Sequence, residues 1–361
     1  MFIDSILDFG GIVISTEKQR RGRPGIVEVA EAAQVSTATV DRVLNNRGGV
    51  REATAKRVLS AATELGYLFD SLPVDNSRVK PLKVVFLLPT GTNPYLKHLE
   101  QIIRTDDHLQ RSCNVRCDCK LVHGFDAGAL AKEIRSHATS ADGIAVMGLE
   151  HPIVREAVNE VTKRGTPVVT IITDVSNCSR TAFVGLDNRA VGRTAAHLMA
   201  RFSGRNEGDV GLIAGSLSYL AHNEREMGFL AYMQENYPGL RVVGAREGHD
   251  DFEENYQLTL SFLKQHQNLV GIYNIGGSSG GVAAALLEAG KGDSLVFIGH
   301  GLGEDTRMML IEETMDIVIH QDPLALVHNT CQIFLNLSKG IAPLGGIPKL
   351  SMQIICRENL P

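Results

Sequence analysis

Apolar residues recur over the first part of the chain with the three-to-four spacing of helices. Ile26, Val29, Ala30 and Ala33 fall at i, i+3, i+4 and i+7, one stripe of a short amphipathic helix. Ser36 stands where its hydroxyl oxygen can accept from backbone N–H groups left free in the first turn of a second helix. Val40, Val43 and Leu44 then face back toward the first stripe. A third helix is predicted from about Arg51 to Leu65, with Ala55, Val58, Ala62 and Leu65 inward and Gly66 ending it. So small a head buries little surface and is expected to be marginally stable by itself.

From Lys83 the pattern changes to short apolar runs: Val84–Leu88, Val115–Val122, Gly143–Met147, Val168–Ile172, Val210–Ile213, Val242–Ala245, Gly271–Tyr273, Leu295–Ile298 and Ile317–Ile319. Helix-like segments lie between them, at Tyr95–Gln110, Ala127–Ala138, Ile153–Arg164, Ala190–Phe202, Arg225–Glu235, Glu254–Gln265, Gly281–Ala289 and Thr306–Glu313. Strictly alternating strand and helix imply parallel sheets covered on both faces. Nine strands are too many for one comfortable sheet, so a two-lobed α/β body with a cleft is expected. Ligands in such sheets bind beyond the carboxyl ends of the strands. The predicted organisation is a flexible basic extension over 1–24, an all-α helix-turn-helix domain over 25–68, a linker over 69–82 and the body over 83–361.

Charge changes this picture most. The chain of 361 residues carries a net charge of −5. Between Lys18 and Tyr67, however, 9 Lys/Arg stand against 5 Asp/Glu, giving +4 and leaving −9 for the remainder. A basic head on an acidic body points the head at phosphates. Arg20, Arg21 and Arg23 form a short basic arm that either follows a DNA backbone or minor groove or is a solvated tail. Six cysteines have no spacing that makes a metal site, and buried reduced thiols are expected, although Cys117 and Cys119 should share a strand face. No apolar run reaches the ~18 residues of a membrane span, and the first fourteen residues, broken by Asp4 and Asp8, do not read as a secretory signal. A cytoplasmic protein is expected. Residues 1–17 suggest no role.

The head carries Val29-Ala30-Glu31-Ala32-Ala33, Val35-Ser36-Thr37-Ala38-Thr39-Val40, Arg42-Val43-Leu44-Asn45, then Val50-Arg51 with Thr54 and Leu65-Gly66-Tyr67. With a linker and a two-lobed α/β body behind it, the chain resembles the lactose-repressor (LacI/GalR) family of transcription regulators, whose sensor has the type I periplasmic sugar-binding fold. Three departures stand out. Gln34 replaces a turn glycine common in the family, and Asp41 replaces a serine. Pro73 lies where the family forms a hinge helix, and Asn76 stands near the position of its minor-groove leucine; Leu72 is a conceivable substitute. The proline ring and missing N–H oppose a helix through that segment.

The resemblance places the second helix in a DNA major groove. Thr37 and Ala38 open it, offering a hydroxyl and a methyl to base edges. Arg42, one turn later, is expected to grip guanine O6 and N7; a phosphate contact or a surface salt bridge is the alternative. Ser36, Thr39 and Asn45 are expected to hold phosphates, and Arg47 and Arg51 to face phosphates. One such head makes few contacts, so a homodimer on a palindromic double-stranded operator is expected. The tail beyond Cys356 is short for a tetramerising helix.

In the body, Thr92-Asn93-Pro94-Tyr95 resembles the sugar-binding fold's turn in which an aromatic ring stacks on a sugar face and Asn93 would bind a hydroxyl; the bland alternative is a helix start. Arg225, in Asn223-Glu224-Arg225-Glu226, resembles the family's effector arginine at the start of a helix, a five-donor fork suited to vicinal hydroxyls or a carboxylate. Phe252 stands where relatives have an aromatic wall, and Gln321 near a crossing between lobes. The family's aspartates near Tyr273 and after the next strand are replaced by Asn274-Ile275 and His300-Gly301, with Asn274 and His300 as candidate substitutes. The glycine run Gly276–Gly281 offers N–H groups to a phosphate but lacks a GxGxxG order or a Walker lysine.

The resemblance thus implies a DNA-binding repressor controlled by a sugar-like, polyol or sugar-phosphate effector, with no cofactor or metal. No nucleophile elbow, paired metal ligands or P-loop points to an enzyme. Control by a protein partner, with a degenerate cleft, is the alternative.

Overall fold

The computed structural model describes residues 25–44, 49–64, 80–106 and 112–361. The chain divides into two units, residues 1–75 and 76–361. The predicted basic extension, Asn45, Arg47 and the linker positions Leu72, Pro73 and Asn76 lie outside the described residues.

The head unit holds α1 (Ile26–Ala32), α2 (Thr37–Leu44) and α3 (Glu52–Glu64). Glu28 folds back so that its carboxylate accepts from the Gly25 N–H at 2.7 Å, tying off an amide that the first helical turn leaves free. Val29, Ala30, Ala33, Val40, Val58, Ala61 and Ala62 close a small core. Ala55, predicted inward, is only half-buried. Between α1 and α2 the chain turns through Gln34 at φ 53°. This is the left-handed region, which costs a non-glycine residue roughly 1–2 kcal/mol, and it explains why a glycine suits the turn.

The body has two sheets. In the first, β1 (Leu82–Pro89), β2 (Val115–Val122), β3 (Gly143–Val146), β4 (Val168–Ile171) and β5 (Ala182–Val184) run parallel in the order β2-β1-β3-β4-β5. Helices α4 (Pro94–Thr105), α5 (Ala127–Ser136) and α6 (Pro152–Lys163) connect its strands. Then α7 (Asn188–Ser203) leads to the second sheet: β6 (Gly208–Ala214), β7 (Leu240–Glu247), β8 (Leu269–Asn274), β9 (Val296–His300), β10 (Ile317–His320) and β11 (Gln353–Ile355), in the order β11-β10-β9-β8-β6-β7. All pairs are parallel except β10 with β11. The connecting helices are α8 (Leu220–Asn236), α9 (Phe252–Gln265), α10 (Ser279–Glu288) and α11 (Glu304–Ile311).

All nine anticipated strands are present. The short β5 and β11 were not anticipated, and neither was α12 (Pro323–Ser338). Its start signal is nevertheless in the sequence: Pro323 follows Asp322, whose carboxylate accepts from the Leu324 and Ala325 N–H groups at 2.9 and 3.2 Å. Its Leu326, Val327, Cys331, Ile333 and Phe334 join the core of the first sheet. Each fully buried Leu or Phe contributes about 1.5–3 kcal/mol, so α12 is a main anchor of the first lobe. The chain therefore passes from the second sheet back to the first at Gln321–Asp322 and returns again before β11. The six cysteines are free thiols, with Cys117 Sγ 3.6 Å from Cys331 Sγ. No described helix is long and apolar enough to cross a membrane.

Helix α8 begins at Leu220, five residues before the expected start, so Arg225 sits in its second turn rather than at its first. Glycines bring α7 and α8 into backbone contact there. A methyl at Gly192 would collide with the Arg225 carbonyl, and one at Gly228 with the Arg189 carbonyl.

Candidate functional site

In the head, Ser36 Oγ accepts from the Thr39 N–H at 3.2 Å and shares a 2.9 Å hydrogen bond with the Thr39 hydroxyl. Thr39 is thus half-buried and its hydroxyl engaged, whereas Ser36, Thr37, Ala38, Arg42 and Arg51 are exposed. Burial of Val40 against α1 and α3 fixes which side of α2 faces out. Thr37, Ala38 and Arg42 lie on that outward side, the arrangement a groove-reading helix requires.

In the body, a cavity of about 70 Å³ lies at the carboxyl ends of the strands of both sheets. One water needs about 10–15 Å³ in the same measure, so the space suits a small molecule. Asn93, Tyr95, Arg225, His300 and Gln321 all line it, together with Tyr219, His222, Asp250, Gly276 and Gly277.

Asn93 is already occupied. Its carbonyl oxygen caps α4, accepting from Tyr95 N at 3.0 Å and Leu96 N at 3.4 Å, and its amide donates to Asp250 Oδ2 at 2.9 Å. It is therefore both a helix cap and a bridge between lobes in the wall of the cavity. Asp250, unsuspected from sequence, is the other end of that bridge. It sits after β7 in a left-handed conformation with φ 53°. Its Oδ1 accepts from Gly277 N at 2.7 Å, and its carbonyl accepts from the Thr92 hydroxyl at 2.9 Å and from the Ser278 hydroxyl. The available signal was a pair of adjacent aspartates at a strand's carboxyl end: Asp251 caps α9, leaving Asp250 to reach across the cleft.

Arg225 is 7% exposed. Its Nε donates to Asn188 Oδ1 at 2.9 Å and its Nη1 to the Ile275 carbonyl at 2.8 Å. Burial pulls its pKa down, opposed by the nearby Tyr273, Asp250, Tyr95 and Glu224. The Tyr95 hydroxyl and Gln321 Nε2 are buried beside each other, and burial pushes the Tyr95 phenol well above its usual range against a smaller opposing effect of the Gln321 side chain.

His300 does not act as a replacement carboxylate. Its Nε2 meets the Tyr273 hydroxyl at 2.8 Å and the ring also bonds the Ile319 backbone. Burial holds it neutral, with a pKa well below the usual histidine range. His222, beside Ser216, is pushed down to about 4, again chiefly by burial.

Two expected residues are not in the lining. Phe252 is 51% exposed as the first residue of α9, where its ring lies over Gly280 of α10. Asn274 is buried behind the glycine turn, donating to the Gly277 carbonyl at 2.9 Å and to Ser279 Oγ at 3.1 Å. The Gly277 N–H that the sequence offered to a phosphate is spent on Asp250.

A cleft between two mainly parallel-sheet lobes, lined by buried polar side chains, defines a small-molecule-binding body of the periplasmic-binding-protein class. Comparison with known proteins agrees: residues 116–342 match the periplasmic binding protein domain, and residues 25–69 match the bacterial regulatory proteins of the lacI family. The chain belongs to this family of regulators, a lacI-type head followed by a periplasmic-binding-protein body. It is 27% identical over 215 residues to an HTH-type transcriptional regulator of Streptomyces limosus, covering 59% of this chain and 58% of that one. It is 26% identical over 251 residues to the transcriptional repressor PurR of Actinobacillus pleuropneumoniae, covering 66% and 68%. Among solved structures, GanP, a glucose-galactose binding protein from Geobacillus stearothermophilus, superposes with a TM-score of 0.70 at 21% identity, covering 78% of this chain and 99% of GanP.

Proposed function

We propose that the protein is a sequence-specific DNA-binding transcriptional repressor, controlled by a small carbohydrate-like effector held between the two lobes of its body. The observation that carries this reading is the pairing of two surfaces on one chain. An exposed helix face of Thr37, Ala38 and Arg42 belongs to a lacI-type head, and a cavity between the lobes of the body is lined by the buried polar side chains of Arg225 and Gln321 together with Tyr95.

The protein acts as a cytoplasmic homodimer on a palindromic operator, since a single head makes too few base contacts for useful specificity. It is a regulator rather than an enzyme. Control requires only that the effector bind unequally to states that differ in DNA affinity. Ser36 and Arg51 hold phosphates, and Arg42 reads a base.

The test is selection of binding sequences from random duplex DNA, followed by titration of the selected operator with monosaccharides and polyols present. A palindrome should emerge, and at least one compound should change operator affinity tenfold or more. Recovery of no preferred sequence would overturn the DNA-reading role. A preferred operator whose affinity no compound alters would overturn effector control.

A further inference from the structure

The structure assigns Cys117 and Cys331 as an oxidisable dithiol, a site at which a hydroperoxide converts two thiols of the first lobe into a reversible disulfide. It lies outside the cleft and does not depend on the effector.

The two sulfurs are 214 residues apart in the chain and 3.6 Å apart in space. Cys117 is the third residue of β2, and Cys331 stands in the middle of α12. A disulfide has its sulfurs about 2.05 Å apart, leaving about 1.5 Å for the two side chains to close.

The two thiols differ in what they can do. Cys331 is fully buried, and its hydrogen bond with Cys117, then its burial, push its pKa well above the usual thiol range. It stays protonated and does not start the reaction, because the thiolate is the nucleophile. Cys117 is half-buried, in the wall of an open cavity with Lys80, Lys83, Arg116 and Asp142 at the amino ends of β1 and β2. A small oxidant can approach it from that side. Neighbouring thiols do not compete: Cys113 and Cys119 are buried, and burial pushes them up to about 11 and about 12. Cys117 is thus the entry point, and Cys331 is the thiol in contact with it.

The chemistry takes two steps. The Cys117 thiolate attacks an oxygen of the hydroperoxide; an S–O bond forms as the O–O bond breaks. The departing oxygen takes up the proton Cys117 released and leaves as alcohol or water. Cys331 then attacks the sulfur of the resulting sulfenic acid. The S–S bond forms, the S–O bond breaks, and hydroxide leaves with the Cys331 proton as water. The two thiols lose two electrons and the peroxide gains them.

The position of the bond gives it consequence. β2 is the outer strand of the first sheet and pairs along its length with β1, the first strand after the predicted linker. α12 begins directly after the crossing between sheets at Gln321–Asp322. The disulfide would tie that helix to the strand beside the entry of the chain into the body. In a reducing compartment such bonds are transient and serve catalysis or redox sensing.

The test is thiol counting and non-reducing peptide mapping of the full-length protein after exposure to hydrogen peroxide at neutral pH. Two of the six thiols should disappear, the peptides of Cys117 and Cys331 should be joined, and dithiothreitol should restore both thiols. In the untreated protein, iodoacetamide should alkylate Cys117 at least tenfold faster than Cys331. In Cys331→Ser, dimedone should trap a sulfenic acid on Cys117; the arms on the unaltered chain stand whether or not this variant folds. A disulfide joining any other pair would overturn the assignment, and so would faster alkylation of Cys331 than of Cys117. Retention of all six thiols under an exposure that fully oxidises free glutathione would overturn it too.

Discussion

In the head, the side chains offered to a partner stand in solvent: Thr37, Ala38 and Arg42 are exposed on one short helix. In the cleft, the corresponding groups are buried: Arg225 and Gln321 are each 7% exposed, and the Tyr95 hydroxyl is buried beside Gln321. Exposed groups keep their water until the partner arrives, so their interactions are screened by salt and individually modest. Buried groups have already lost their water on folding, so the chain carries their desolvation cost until a ligand arrives. Binding to the head should therefore weaken steeply with salt, as phosphate contacts do, and effector binding should barely respond.

Removing the buried charge should have the largest effect. Arg225→Ala is expected to abolish the effector response while leaving operator affinity within about twofold. Each hydrogen bond that a charged group makes is worth about 1.5–3 kcal/mol. An unchanged titration of operator affinity against effector would remove Arg225 from the site.

The next effect is on pH. Burial holds His222 down to about 4 and His300 well below its usual value, so the folded body keeps both neutral. In the unfolded chain they protonate near pH ~6.5. Between these values the unfolded chain binds more protons, so stability is fully present above about 6.5 and falls as pH drops toward 4. The loss for His222 is about 1.4 kcal/mol per pH unit in that window. Residues 25–68 contain no histidine, so the head should not share this loss. Thermal unfolding at pH 7.5, 6.0 and 5.0 would show it, and a melting temperature independent of pH would contradict buried neutral histidines.

Arg42→Ala comes third. It should weaken operator binding by about 1–3 kcal/mol and relax one operator position. Equal loss on specific and random DNA would reassign Arg42 to a phosphate.

The smallest effect concerns the turn at Gln34. Gln34→Gly should stabilise the head by about 0.5–1 kcal/mol, because glycine adopts φ 53° without the Cβ clash. Hydrogen exchange of the amides in α1 and α2 would report it, with slower exchange expected and faster exchange contradicting the strain.

The same contrast separates what could be read from the chain alone. The head's helices, its Ser36 cap, its inward Val40 and its outward Thr37, Ala38 and Arg42 follow from residues within one or two turns of each other, where helical spacing decides which face is which. The nine principal strands follow just as locally. The cleft was legible in part: Tyr95, Arg225 and Gln321 carry chemistry that marks them in any context. Whether that chemistry is available depends on residues far away in sequence. Asn93 is spent on Asp250, 157 positions on; His300 is turned aside by Tyr273 and Ile319; Phe252 is carried out of the cavity by the start of α9. Helix α12 escaped for a related reason. Burial on most sides erases the amphipathic period by which an exposed helix is recognised, so its place in the first lobe's core emerged only in the folded chain. Periodicity and caps are local and were written in the chain; which polar atoms remain unspent is a property of distant partners, and only the tertiary structure decided it.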